Sequence, residues 1–249
     1  MRILTQVQLT LLLVCLPLAA DAELVRCTSP DGKSSTLQRG KCASPGDIQT
    51  PVTVTKPASA PSGGLEEGLI AYKARDYAKA FRQFEPLAKQ GNPTAQIMLG
   101  DLYHNGLGVK KDDAAAYAWN RKAAEQGNAQ AQALLGVMHQ EGWGTPKDDA
   151  QAVKWFRMAA DQGYPTAQIT LGFIYLNGRG VPKDETKGIQ WIRKAAEGGL
   201  ADAQTMLGLA YREGKGGLPK DDAQARLWLR KAADQGDANA KATLSQMGR

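Results

Sequence analysis

The sequence is short of the residues on which most catalytic and metal sites are built. Its 249 residues include two histidines and three cysteines, a poor basis for a His/Cys metal site or a Cys–His catalytic pair. No Gly-rich phosphate loop, metal motif or nucleophile elbow occurs. The expectation is therefore a protein that is not an enzyme, with no catalytic residue, metal or cofactor. A dominant charge is also lacking. The 31 Lys and Arg exceed the 25 Asp and Glu by six, an excess too mild to point to nucleic acid. Beyond the N-terminus no segment is apolar enough to cross a bilayer.

The first 22 residues combine Arg2, an apolar run from Leu9 to Leu16 and the end Ala20-Asp21-Ala22. A basic start, a short apolar core and an A-x-A end predict a secretory signal peptide cleaved before Glu23. The run is too short for a permanent anchor. Val14 stands before Cys15, where a lipoprotein signal carries a small residue, so lipid attachment is not expected. The predicted location is periplasmic or secreted. Cleavage leaves Cys27 and Cys42, and two cysteines this close in an exported chain predict one disulfide.

Residues 23–48 read as a hairpin. Leu24-Val25-Arg26-Cys27 and Ser34-Ser35-Thr36-Leu37 flank Ser29-Pro30-Asp31-Gly32-Lys33, whose Pro-Asp-Gly is turn chemistry. The stretch resembles an uncharacterised module at the start of exported bacterial proteins, a likeness that implies no activity. Residues 49–64 are rich in Pro, Ser and Thr and read as an extended linker.

From Leu65 the chain repeats itself. Leu99-Gly100, Leu135-Gly136, Leu171-Gly172 and Leu207-Gly208 recur every 36 residues, and Trp119, Trp155, Trp191 and Trp228 follow at 36, 36 and 37. A fixed period of this length means a stacked array. A degenerate half unit (65–92), four full repeats (93–236) and a capping helix (237–249) account for the rest. Each repeat parses into two helices. Asn92-Pro93 caps the first, Asn105-Gly106 ends it, Asp112-Asp113 starts the second and Gly127 closes it. The paired acids at 112–113, 148–149, 184–185 and 221–222 sit where an N-cap and the helix dipole favour negative charge, not where chemistry is needed.

The pattern is carried by Ala95, Leu99, Gly100, Tyr103, Gly106, Gly108, Asp112, Ala116, Trp119, Ala123, Ala124 and Gly127, and by the same slots in later repeats. It resembles the Sel-1-like repeat family, relatives of the tetratricopeptide repeats. The resemblance covers about three quarters of the chain. It implies an all-α, right-handed α-solenoid that serves as a scaffold or adaptor, its first helices lining a concave face. His139 stands in a Tyr slot and Gly188 in an Ala slot. Some exported relatives carry a disulfide in every repeat and have been linked to penicillin binding. These repeats contain no cysteine, and that activity does not carry over.

A solenoid binds through residues that its core does not use. On a helical wheel the positions of Ile97, Asp101 and His104 lie opposite the Ala95–Leu99–Leu102 side. In later repeats this outer stripe contains Val137, Ile169, Phe173, Leu176 and Leu209, an apolar run that predicts a partner. Packing against the next repeat is the alternative reading. Trp143, between Gly142 and Gly144, is a second candidate that either stacks on a ligand or folds over the neighbouring turn. Gln96, Gln132, Gln168 and Gln204 recur in register, which favours a shared packing contact over a ligand ladder. Arg121, Arg157, Arg193 and Arg230 read as a solvated face near helix C-termini, His104 as a surface residue and His139 as a core substitute. The expected function is an exported protein-interaction scaffold with a protein or peptide partner. The alternative is a binder of cell-wall glycan or muropeptide, or a regulator of a cell-wall enzyme.

Overall fold

The computed structural model describes residues 24–28, 35–39, 48–51 and 62–248. They fall in two compact units, divided between Ala60 and Pro61. The signal peptide and Cys42 lie outside the described residues, and so does the proposed disulfide.

The first unit is a small antiparallel sheet. β1 (Leu24–Thr28) pairs with β2 (Ser35–Arg39), with Leu24 opposite Arg39 and Thr28 opposite Ser35. A third strand, β3 (Ile48–Pro51), pairs with the other edge of β1 and gives the order β2-β1-β3. The hairpin thus gains a strand from the stretch that the sequence suggests is linker. Pro51 ends an edge strand, the place in a sheet where proline is tolerated.

The second unit is a run of helix pairs. α1 (Ser62–Lys73) and α2 (Tyr77–Lys89) form the first pair. α3 (Pro93–Asn105) and α4 (Asp113–Glu125) form the second, α5 (Ala129–Glu141) and α6 (Asp149–Asp161) the third. α7 (Pro165–Asn177) with α8 (Glu185–Glu197), and α9 (Ala201–Glu213) with α10 (Asp222–Asp234), complete the series, which α11 (Ala238–Met247) closes. Each helix packs on the one before and the one after. This is an α-solenoid.

The boundaries follow from capping chemistry. The carboxylates of Asp112, Asp148, Asp184 and Asp221 each accept from a backbone N–H three residues on, at 2.9 to 3.0 Å. They satisfy a donor that would otherwise be orphaned. The first helices end at Gly106, Gly142, Gly178 and Gly214, all in the left-handed region that glycine adopts without strain.

Two glycine positions per repeat set how closely the elements pack. Within a pair, Gly100, Gly136, Gly172 and Gly208 accept a side chain of the second helix, namely Asn120, Phe156, Ile192 and Leu229; a Cβ on any of them would meet it at 2.2 to 2.8 Å. Between pairs, the second glycine of each loop rests on the start of the preceding pair's second helix. At Gly144 a Cβ would stand 2.0 Å from the carbonyl oxygen of Asp113, and at Gly180 2.6 Å from that of Asp149.

Gly144→Ala should therefore cost about 3 kcal/mol or more, because positive φ and a backbone collision act together. Gly163 also has a positive φ, +84°, but nothing lies within 4 Å of a Cβ there. Gly163→Ala should cost only about 1–2 kcal/mol. Urea unfolding of the two variants checks the difference; equal losses would show that the loop contact does not matter.

Candidate functional site

The outer stripe is not the solvent-facing row that a single wheel suggests. Ile97, Ala133, Ile169 and Thr205 are all buried, and Val137 is 8% exposed. Ile97 packs with Ala131, Leu135 and Met138 of α5; Val137 packs with Leu171 and Ile174 of α7; Ile169 packs with Leu207 and Ala210 of α9. A first helix in mid-array touches the second helices on either side and the next first helix as well. Only a narrow edge stays open. Val137 and Ile169 therefore belong to the core and are corrected as surface candidates.

Leu176 is half-buried for a different reason. A Cβ on Gly188 would lie 2.8 Å from Leu176 Cγ, so the leucine fills the notch left by glycine in the Ala slot. Its equivalents His104, Gln140 and Arg212 are polar. Leu209 is half-buried at the edge of α9. Phe173 is 37% exposed. In its slot the other repeats carry Asp101, Val137 and Leu209.

Trp143 makes the contact between neighbouring repeats. Its ring lies 4.3 Å, centroid to centroid, from that of His104 and is tilted by 37°. His104 Nδ1 donates to Asp113 Oδ1 at 2.6 Å, the carboxylate being able only to accept. Trp143 also packs against the cores of two repeats, so the ring is folded over the neighbouring turn. Arg179 fills the next such socket, with Nε 2.9 Å from Asp149 Oδ1 and Nη2 3.2 Å from the Gln140 carbonyl.

The glutamines are also structural. Gln96, Gln132, Gln168 and Gln204 each donate through Nε2 to an alanine carbonyl of the preceding repeat, Ala88, Ala124, Ala160 and Ala196, at 3.1 to 3.3 Å. Gln126, Gln162 and Gln235 donate in turn to the Oε1 of Gln96, Gln132 and Gln204 at 2.7 to 2.8 Å. Gly198 occupies this slot in the third full repeat. The sequence reading missed these partners, although a recurring Gln-Gly at the second helix's end was the available signal.

The arginines divide by partner. Arg157 and Arg193 donate across repeats to the hydroxyls of Tyr175 and Tyr211, whereas Arg121 pairs with Glu125 at 2.7 Å. The difference follows from His139 in the Tyr slot. The imidazole is buried, its Nε2 lies 3.2 Å from the Tyr117 hydroxyl, and its Nδ1 has no partner. Burial holds its pKa below the usual value, against the nearby charge of Asp148. Burial also raises the Asp101 carboxyl, although Tyr72 donates to it at 2.5 Å. Among the described residues no group of three His, Cys, Asp or Glu is placed to hold a metal ion. No helix among them is long and apolar enough to cross a membrane.

The His139 environment has a measurable consequence. The unfolded chain binds a proton as pH falls through about 6.5, whereas the folded chain resists. This contribution to stability is therefore complete above that pH and is lost as pH falls below it. His139→Tyr should flatten that loss and, by removing the orphaned Nδ1 and offering Arg121 a hydroxyl, add about 1 kcal/mol at neutral pH. Urea midpoints between pH 5 and 8 test this; a variant with the parent's pH slope would contradict it.

The comparisons agree with this architecture. The Sel1 repeat matches residues 64–92, 93–128, 129–164, 165–200 and 201–237, so the segment before the four full repeats is matched as a repeat too. A Sel1 repeat protein from Oxalobacter formigenes is similar at 40% identity and TM-score 0.70, over 76% of this chain and 55% of that one. A protective antigen of uropathogenic Escherichia coli with an SLR fold is similar at 34% and 0.65, over 71% and 39%. The chain thus spans little more than half of the first and under half of the second. An immunity protein of Pseudomonas aeruginosa, at 23% identity and TM-score 0.51 over 74% of this chain and 70% of that one, shares the fold. A search of curated proteins finds no match. Sel1 repeat proteins are in general non-catalytic scaffolds for protein–protein interaction. With its five matched repeats, its glycine-seated helix pairs and its capping acids in register, this chain belongs to the Sel1 repeat family.

Proposed function

We propose that this protein is an exported scaffold that binds a protein or peptide partner on the concave side of its solenoid, along the open edge of the first helices around Phe173. The observation that carries this reading is the exposure of Phe173 on α7, where every neighbouring position of the stripe is polar or packed. A large apolar side chain left in water, in a row whose other members are buried or half-buried, is an anchor for a partner. Leu209 and the outer side of Leu176 border it. The signal-peptide pattern of residues 1–22 supports export.

The structure offers little support for glycan as partner. Trp143 is stacked on His104, and each repeating Gln donates to a backbone carbonyl. Neither set retains the open hydrogen-bonding and stacking groups that a sugar needs.

In-cell crosslinking and pull-down of wild type and Phe173→Asp tests the reading. A defined protein partner should be recovered with wild type and lost with the variant, at unchanged helical content. The same partners with both proteins would rule out this surface, and recovery of cell-wall fragments alone would replace protein with glycan.

A further inference from the structure

In two repeats the socket between the end of the first helix and the start of the second is filled by the following repeat. Trp143 enters beside His104 and Asp113, and Arg179 enters between Gln140 and Asp149. The equivalent pair in the fourth full repeat, which α11 follows, is Arg212 and Asp222. Here an open groove is lined by Arg212, Glu213, Lys220, Asp222, Arg226 and Met247.

The chemistry of this socket differs from that of the earlier ones. Where earlier repeats place Tyr117, Val153 and Ile189, it carries Arg226, which donates to the carbonyl of Met247. The lining holds three cations, Arg212, Lys220 and Arg226, against two acids, Glu213 and Asp222; Glu213 is engaged by Lys215, and the neighbouring Asp221 is turned to the backbone N–H groups of its own helix. Arg212 also lies one helical turn beyond Leu209, which occupies Phe173's slot. The open edge thus passes from apolar at Phe173 and Leu209 to cationic at the groove.

We propose that the partner is an acidic–apolar peptide segment, with a large apolar side chain resting on Phe173 and Leu209 and carboxylates entering the groove at Arg212 and Lys220. This deepens, and rests on, the protein-binding reading above. Charge complementarity fixes the direction in which the segment lies, with its acids toward α10.

A library of random peptides displayed on phage, panned on the full chain, tests this. Enriched peptides should combine an aromatic or long aliphatic residue with acids on one side of it, acids exceeding bases about tenfold. The double variant Arg212→Glu, Lys220→Glu leaves the Arg226 bond intact, and should lose or reverse the acid bias while keeping the apolar residue. Phe173→Asp should abolish enrichment. An acid bias unchanged in the double variant, or apolar peptides enriched with no acid bias, would overturn this inference alone. No enrichment at all would overturn it together with the protein-binding reading.

Discussion

At Gly144 the chain passes so close to the Asp113 carbonyl that a Cβ would stand 2.0 Å from it, and the same approach recurs one period on. This contact fixes the spacing of the array. It brings each loop down onto the preceding pair, which places Trp143 over His104 and Arg179 against Asp149. The Leu-Gly glycines fix the other spacing, between the two helices of a pair. Stacked repeats are stabilised by intrinsic and nearest-neighbour contributions, and here the neighbour contribution depends on backbone clearance that no other residue provides.

With these distances set, polar bonds distinguish repeats that otherwise look alike. The glutamine relay ties each first helix to the previous repeat and, through Gln126, Gln162 and Gln235, to the end of its own second helix. Gly198 omits the second link, and in the same repeat Gly188 admits Leu176. Asn120, in the slot of Phe156 and Ile192, is buried with an Oδ1 that has no partner. An unsatisfied buried acceptor of this kind costs about 1–3 kcal/mol. The second repeat carries a comparable defect at His139. The array is thus regular in backbone and uneven in stability.

Features set by local chemistry were legible in the sequence. The Asp caps and the terminal glycines depend on residues within one turn of one another, and the 36-residue recurrence of these signals discloses the period and the two helices per repeat. So was the balance of readings for the glutamines, since identical residues in register imply identical surroundings. The stripe was less legible. A wheel assigns one buried face, but Val137 and Ile169 touch the next first helix as well, a neighbour 36 residues away in sequence. Nor does local pattern disclose that Gly188 and Leu176 compensate each other, that Trp143 turns onto His104, or that Ile48–Pro51 joins β1. Each of these depends on which segments meet in space.

Of the proposed surface residues, Phe173 is the one whose exposure survives this packing, and the functional account depends on it. A photo-crosslinking residue at position 173, compared in cells with the same residue at the exposed position 158 of α6, tests it most directly. The account predicts a defined protein adduct from position 173 and none from 158. Adducts from 158 alone would contradict it, moving the binding surface from the first helices to the second.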